Sequence, residues 1–392
     1  MKICIVTTSF PRWPDDYRSL FIFEVAKQLK DFGHSVLVIS MHSPGAKRRE
    51  IIEDIEVLRP MYLPESLETL QKEDGGITVA WQKHPITRLA LIPFIIAQAI
   101  AIIRYSKDCD IIHANWTLSA FSTWLSKPIH RKPFIVTVHG SDIFRGSSIP
   151  VVSTLTRICL NFASHIIAVS SALQEALITL GVIPKKISVV SNAVNLSTFY
   201  PSQATKQDRI LFVGNLAESK GVEYLIKAMP IILQKMKGYR LTIIGDGPQR
   251  SELEHLAQLL GLQDSIDFLG SLPQPVVAEW MRKSKLFVLP SIYEGFGIVL
   301  LEALASGLPV VGTEVGGIRD IISPEVGALV PPASPESLAN AILDILTNEA
   351  RYSELQAHTV SYVRNKYTWE AKAQEILEIY CATLSKKTDA NQ

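Results

Sequence analysis

The chain has 392 residues, 47% hydrophobic and 20% charged, which is ordinary globular usage. Disorder and fibrous repeats are thereby excluded, and at about 150 residues per domain two domains are expected. A formal net charge of +1 removes the electrostatic case for a nucleic-acid binder. The balance is uneven along the chain: residues 1–200 carry 21 Lys/Arg against 16 Asp/Glu, and residues 201–392 carry 18 against 22. A basic first half is drawn toward anionic partners.

In chain order, the first half alternates short apolar runs with longer helical patterns. Strands are expected at 2–7 (KICIVT), 34–40, 110–115, 133–140, 165–170 and 186–192, with helices near 20–33, 86–106, 116–127, 150–163 and 171–180. Residues 41–85 resist reading beyond a strand near 54–59. The second half repeats the theme, with strands at 209–214, 240–245, 265–270, 285–291 and 309–313 and helices near 219–236, 249–260, 274–283, 297–306 and 335–347. Apolar runs of this kind, bounded by turns and separated by helices, predict parallel sheets covered on both faces. The polar stretch 195–208 reads as an interdomain linker, giving domains at 1–198 and 199–366. Residues 367–392 begin with an amphipathic helix that follows the second domain. Two doubly wound α/β domains facing each other form a cleft, and such sheets bind ligands at the carboxyl ends of their strands.

Cys4, Cys109, Cys159 and Cys381 form no C-x-x-C pair, which argues against a zinc ribbon or a disulfide scaffold and fits a reducing compartment. The opening MKICIVTTSFPRWP runs straight into a strand and a proline-broken loop without a secretory pattern, so a cytoplasmic location is expected. Residues 89–103 (LALIPFIIAQAIAII) contain Gln98 as their one polar residue. As a helix they reach roughly 22 Å, short of the ~30 Å hydrocarbon core of a bilayer. They read as a helix buried against a sheet, with a helix lying in a membrane interface as the alternative.

The richest strand-end loop follows KLFVLPS and reads Ile292-Tyr293-Glu294-Gly295-Phe296-Gly297-Ile298. Its glycines allow a ligand close to the backbone, and the amides of Phe296, Gly297 and Ile298 lie at a helix N-terminus, where anions bind. Glu302 lies eight residues after Glu294. Carboxylates there suit paired sugar hydroxyls, which donate, better than a phosphate, which repels. Alternatively, Glu294 caps the helix and Glu302 faces solvent.

The run EGFGIVLLEALASGLPVVGTEVGGIRDII resembles the signature of the retaining family-4 glycosyltransferases, enzymes of the GT-B fold with two Rossmann-like domains. FVGNLAESKGVEYLIKA, IIGDGPQRSELE, VSSALQEALITLGVIPKKISVVSNAVNLSTFYP and VTVHGSD resemble the family's other segments in the right order, so the likeness spans nearly the whole chain. The resemblance implies a nucleotide-sugar donor, with Glu294 on the donor sugar, Glu302 on the ribose and the Phe296–Ile298 amides on the distal phosphate or sugar. It also implies Lys220 on the diphosphate, His139 at the reacting centre with Asp142 beside it among the substrate-binding residues, and Gly245 and Gly247 along the nucleotide. The family's last helix crosses back to the first domain, a role that falls here to residues 367–392.

Three departures stand out. Asn215 replaces the family's usual arginine, and losing one charged hydrogen bond to a diphosphate costs roughly 1.5–3 kcal/mol unless compensated. The loop after the first strand reads SFPRWPDDYR in place of a glycine pair, as in a branch that includes teichuronic-acid-type polysaccharide transferases; Arg12 or Arg18 is expected to supply the missing charge. Asn192-Ala193-Val194-Asn195 replaces the family's NGVD, a change in a hinge-side loop.

The resemblance implies front-face substitution with retention, in which the leaving phosphate accepts the acceptor's proton, since no second carboxylate stands out as a nucleophile. The motifs require no metal and no cofactor: no D-x-D or His/Asp cluster stands at a strand end, and activity is expected to survive chelation. A UDP-sugar is favoured over a GDP-sugar on the branch resemblance, with a hexosyl or N-acetylhexosaminyl group passing to a lipid-linked or polysaccharide acceptor during cell-surface polysaccharide synthesis. The basic first half, Lys47–Arg49, Arg131-Lys132 and the apolar run 89–103 point to an anionic membrane surface and a peripheral position on its inner face. The alternatives are a non-catalytic sugar-nucleotide-binding protein and a GT-B nucleotide-sugar epimerase.

Overall fold

The structure, a computed structural model, describes residues 1–13, 16, 19–70, 85–144, 150–202 and 205–389. The chain divides into two compact units, Met1–Ser191 with Trp369–Gln392, and Asn192–Thr368. The first contains β1 (Lys2–Val6), α1 (Leu20–Asp31), β2 (Ser35–Ile39), β3 (Arg49–Ile52), β4 (Ile55–Leu58), α2 (Leu91–Tyr105), β5 (Ile111–Asn115), α3 (Trp116–His130), β6 (Phe134–Val138), α4 (Pro150–Phe162), β7 (His165–Ala168), α5 (Ser171–Thr179) and β8 (Ile187–Val189). The second contains β9 (Arg209–Val213), α6 (Val222–Lys235), β10 (Arg240–Ile244), α7 (Arg250–Leu259), β11 (Ile266–Gly270), α8 (Gln274–Lys283), β12 (Leu286–Leu289), α9 (Ile298–Ala305), β13 (Val310–Thr313), β14 (Gly327–Val330), α10 (Pro335–Thr347) and α11 (Glu349–Lys366). The last helix, α12 (Trp369–Asp389), returns to the first unit.

The first sheet has the order β3-β4-β2-β1-β5-β6-β7-β8 and is parallel except at the β3–β4 hairpin. That hairpin escaped the sequence because its turn is Glu53-Asp54, both left-handed (φ 43° and 61°), without the Asn-Gly or Asp-Gly that marks such turns. Central strands are buried on both faces, hence their unbroken apolar runs. Ile3, Ile5, Val36, Val38, Ile111 and Ile135 form one core with α1 and α12, completed by Tyr380. The Tyr380 hydroxyl meets His113 Nδ1 at 2.6 Å, and Thr137 Oγ1 meets His113 Nε2 at 2.6 Å, so α12 is tied to the middle of the sheet.

The second sheet is parallel throughout, in the order β11-β10-β9-β12-β13-β14. Strand order reverses between β9 and β12, as it does between β1 and β5 in the first sheet. Open α/β sheets take ligands at the loops that leave the strands on either side of such a reversal.

Three features go beyond the sequence reading. The second unit begins at Asn192, just before the stretch 195–208: Val194 pairs with Thr368, and Phe199 within the stretch is buried. Its anchors are individual side chains, so it shows no periodicity. Helix α11 was unforeseen because it buries Thr359 and Tyr362 beside Leu355 and Val363, an inner face that reads as polar. Helix α2 is half buried only: Phe94, Gln98, Ala99 and Ile102 face inward, while Ile92, Ile96 and Ile100 are exposed.

Candidate active site

At the reversal in the second sheet, the loops after β9 and β12 are laced together. The one-turn 3₁₀ segment Glu218–Lys220 presents Ser219 O to the amides of Ile292 and Tyr293, at 2.8 and 3.2 Å. This brings Lys220 Nζ to 2.6 Å from Glu294 Oε2, which also accepts from Ser291 Oγ at 3.3 Å. Both side chains are largely shielded from solvent, so the pair is weakly screened. A Cβ on Gly316 would lie 1.8 Å from Glu294 O, and one on Gly317 would lie 2.6 Å from Phe296 Cα. The glycine pair therefore lets the loop after β13 press on the Glu294 turn, which explains its place in the motif.

Gly297 (φ 95°) starts α9, and the Leu300 amide closes the first turn onto Gly297 O at 2.9 Å. Among the described residues, the amides of Gly297, Ile298 and Val299 make no such backbone bond and remain available to an anion. The Phe296 ring itself is core, buried against Tyr367. One turn into α9, Glu302 meets, among the described residues, only a long contact from Gln274 Nε2 (3.5 Å), and burial raises its carboxyl to about 7. The loop after β10 closes the other flank. Gly245 (φ 138°) would drive a Cβ to 1.9 Å from Gly214 O, and Gly247 lies against the Asn215 side chain.

In the first unit, His139 follows β6. Its Nε2 is 3.1 Å from Asn115 Oδ1, so the proton sits on Nε2 and Nδ1 keeps its lone pair. Phe21 and Trp116 crowd the ring at centroid distances of 4.8 and 4.9 Å, and Nδ1 is buried without a partner among the described residues. Desolvation lowers the imidazole to about 3, with His113 adding a smaller repulsion, so His139 is neutral. Trp116 holds a left-handed φ of 64°, a strained conformation for so bulky a residue and a frequent mark of a functional site. Asp142 clamps the turn: Oδ1 accepts from the amides of His139 (3.3 Å) and Gly140 (3.0 Å), and Oδ2 from Thr117 (3.0 Å). Burial raises the Asp142 carboxyl and these bonds lower it. Asp142 is thus occupied in holding the loop that carries His139.

Comparison with known proteins supplies the family. The family model for glycosyl transferases group 1 matches residues 199–366, and that for glycosyltransferase family 4 matches residues 19–198. An uncharacterized glycosyltransferase of Methanocaldococcus jannaschii is 32% identical over 292 residues, 69% of this chain and 75% of that one. The chain belongs to the group 1, family 4 glycosyltransferases. This glycosyltransferase is also 26% identical to the phosphatidylinositol N-acetylglucosaminyltransferase gpi3 subunit of Schizosaccharomyces pombe, over 93% of this chain and 77% of that one. The Anabaena protein HepE in complex with UDP-glucose shares its fold, with a TM-score of 0.76 at 21% identity over 97% of this chain and all of that one.

Within the glycosyltransferase, Arg12 is committed to Asp16, with Nε–Oδ2 at 2.5 Å, and stacks on Trp13 at 4.0 Å. Arg12 is thus engaged within its own loop, and Arg18 lies outside the described residues. Asn215 itself is exposed at the carboxyl end of β9. Among the described residues no group of three or more His, Cys, Asp or Glu side chains is gathered to hold a metal ion. Ser291, Gln274, Asn115 and Trp116 were not singled out from the sequence. Asn115 and Trp116 sit at a strand end, the signal that could have found them; Ser291 and Gln274 are ordinary residues whose partners only the fold supplies.

Proposed function

We propose that this glycosyltransferase moves a hexosyl or N-acetylhexosaminyl group from a UDP-sugar to a lipid-linked or saccharide acceptor, with retention and without a metal ion. The Lys220–Glu294 pair carries the reading. Each group holds the other in place at the point where the strand order reverses. A donor would exchange these partners, its diphosphate taking the ammonium and its sugar hydroxyls the carboxylate. As the anomeric carbon–oxygen bond breaks, negative charge gathers on the diphosphate, where Lys220 and the free amides at the start of α9 stabilise it. The acceptor oxygen then bonds to the same face of the anomeric carbon, and its proton passes to the leaving phosphate oxygen.

Glu302 would accept from the ribose hydroxyls, and His139 Nδ1, an acceptor without a donor, would take one hydrogen bond from a sugar hydroxyl. The UDP preference draws support from HepE, whose structure holds UDP-glucose, and the lipid acceptor from a relative that acts on phosphatidylinositol. Melting shifts with UDP and GDP, followed by turnover of UDP-sugars in EDTA and NMR of the product anomer, test the reading. A larger shift with GDP overturns the base preference. An inverted product overturns retention, and loss of activity in EDTA that Mg²⁺ restores overturns metal independence.

A further inference from the structure

Helix α2 is built inside out. Gln98, its single polar residue between Leu91 and Ile103, points inward and donates from Nε2 to Thr7 O at 3.0 Å, while Ile92, Ile96 and Ile100 are 64%, 49% and 59% exposed. A spacing of four residues puts these isoleucines in one row. Helix α4 repeats the arrangement: Val151, Leu155, Ile158 and Phe162 are exposed along one stripe, while Cys159 and Leu160 are buried. Between them lies α3, which packs against both helices and exposes Leu125 and Ile129. The Trp124 and Phe162 rings meet at 5.8 Å, so the apolar surface is continuous from α3 to α4. Three adjacent helices thus present aliphatic rows to water, where a single isolated apolar residue would need no explanation.

The three helices themselves carry charge of one sign, and the carboxylates Asp108 and Asp110 follow the end of α2. Helices α2, α3 and α4 contain no Asp or Glu, while Arg104 on α2 and Arg157 on α4 are exposed and Arg131, just past α3, is exposed as well. Apolar rows flanked by cations and free of carboxylates match an anionic bilayer, in which the aliphatic groups enter the acyl boundary and the cations meet phosphates. The Lys47–Arg49 cluster does not belong to this layer; Arg49 pairs with Glu56 beside β3.

We infer that the α2–α3–α4 layer is a docking surface for an anionic phospholipid membrane. The inference is independent of the donor and of the reaction. Co-sedimentation of the full chain with vesicles, without donor or acceptor, tests it. Vesicles rich in phosphatidylglycerol retain the protein, and pure phosphatidylcholine vesicles retain it about tenfold less. The pairs Ile96→Ser with Leu155→Ser, and Arg104→Glu with Arg157→Glu, each weaken retention about tenfold or more while the melting shift with UDP is unchanged. Equal retention of wild type and variants, or none on anionic vesicles, overturns the inference. A dimer that Ile96→Ser with Leu155→Ser dissolves, with no vesicle retention, overturns it in favour of a second copy of the chain.

Discussion

The loop site of the second sheet and the His139 site of the first occupy strand ends in sheets of the same kind, yet their chemistry is opposite. At the second sheet a lysine and a glutamate stand 2.6 Å apart beside unpaired helix amides, and a buried carboxyl titrates near neutrality. At the first, a neutral imidazole sits between two aromatic rings, with the neighbouring carboxylate consumed by backbone amides. On the proposed function the second-sheet site stabilises a departing diphosphate and needs fixed charge, because charge is what develops there. On the same reading the His139 site meets only hydroxyls and ring carbons and needs shape and a single acceptor. The contrast assigns large electrostatic effects to the second unit and small geometric ones to the first.

Removing the lysine tests the larger side of that contrast. Lys220→Ala is expected to lower kcat by roughly 10²–10³-fold, the usual effect of deleting a preorganised charge at a developing oxyanion. It also leaves Glu294 shielded from solvent and facing the sugar without its counter-ion. Steady-state kinetics with a saturating UDP-sugar checks this, and a loss confined to KM would remove Lys220 from the chemistry.

Next in size is Glu302. Folding raises its carboxyl from the ordinary 4.5 to about 7, so the folded chain binds this proton more tightly than the unfolded chain does. The contribution to stability is complete below pH 4.5 and is lost as pH rises through 7. Glu302→Gln should therefore stabilise the unliganded protein at pH 8 by about 1–3 kcal/mol, read as a raised Tm. The same variant should weaken UDP-sugar binding roughly ten- to hundredfold, because an amide accepts less well from paired ribose hydroxyls than a carboxylate does. In the wild type, donor affinity falls below pH 7, where the carboxyl must first lose its proton, and this inflection vanishes in Glu302→Gln. A lower Tm at pH 8 would show that the carboxylate is stabilised by the fold and not strained by it.

Much of this arrangement was legible in the sequence. Parallel strands announce themselves as unbroken apolar runs, and the glycines and glutamates after β12 single out in the sequence the loop that the proposed function assigns to the donor. The features that were not legible depend on tertiary approach. Nothing near Gly316 tells that it lies against Glu294 O, and nothing near Gln274 tells that it reaches Glu302. The apolar run 89–103 reads as a helix, either buried or lying in an interface, and only the fold tells which of its apolar residues are exposed. Gln98, the one polar residue of the run, is buried.

His139 closes the comparison with the smallest effect. Its imidazole, held at about 3, stays neutral across the working pH range, so on the proposed function it accepts one uncharged hydrogen bond at Nδ1 and fills the space between Phe21 and Trp116. His139→Phe keeps a ring in that space and removes only the nitrogens. The loss of one neutral hydrogen bond, about 0.5–1.5 kcal/mol, corresponds to a fall in kcat/KM of roughly two- to tenfold. The pH inflection assigned to Glu302 must survive unchanged in this variant, since the two groups titrate far apart. A loss in His139→Phe as large as that in Lys220→Ala would mean that the imidazole moves a proton in the reaction, and the division between a charged and a neutral site would fall.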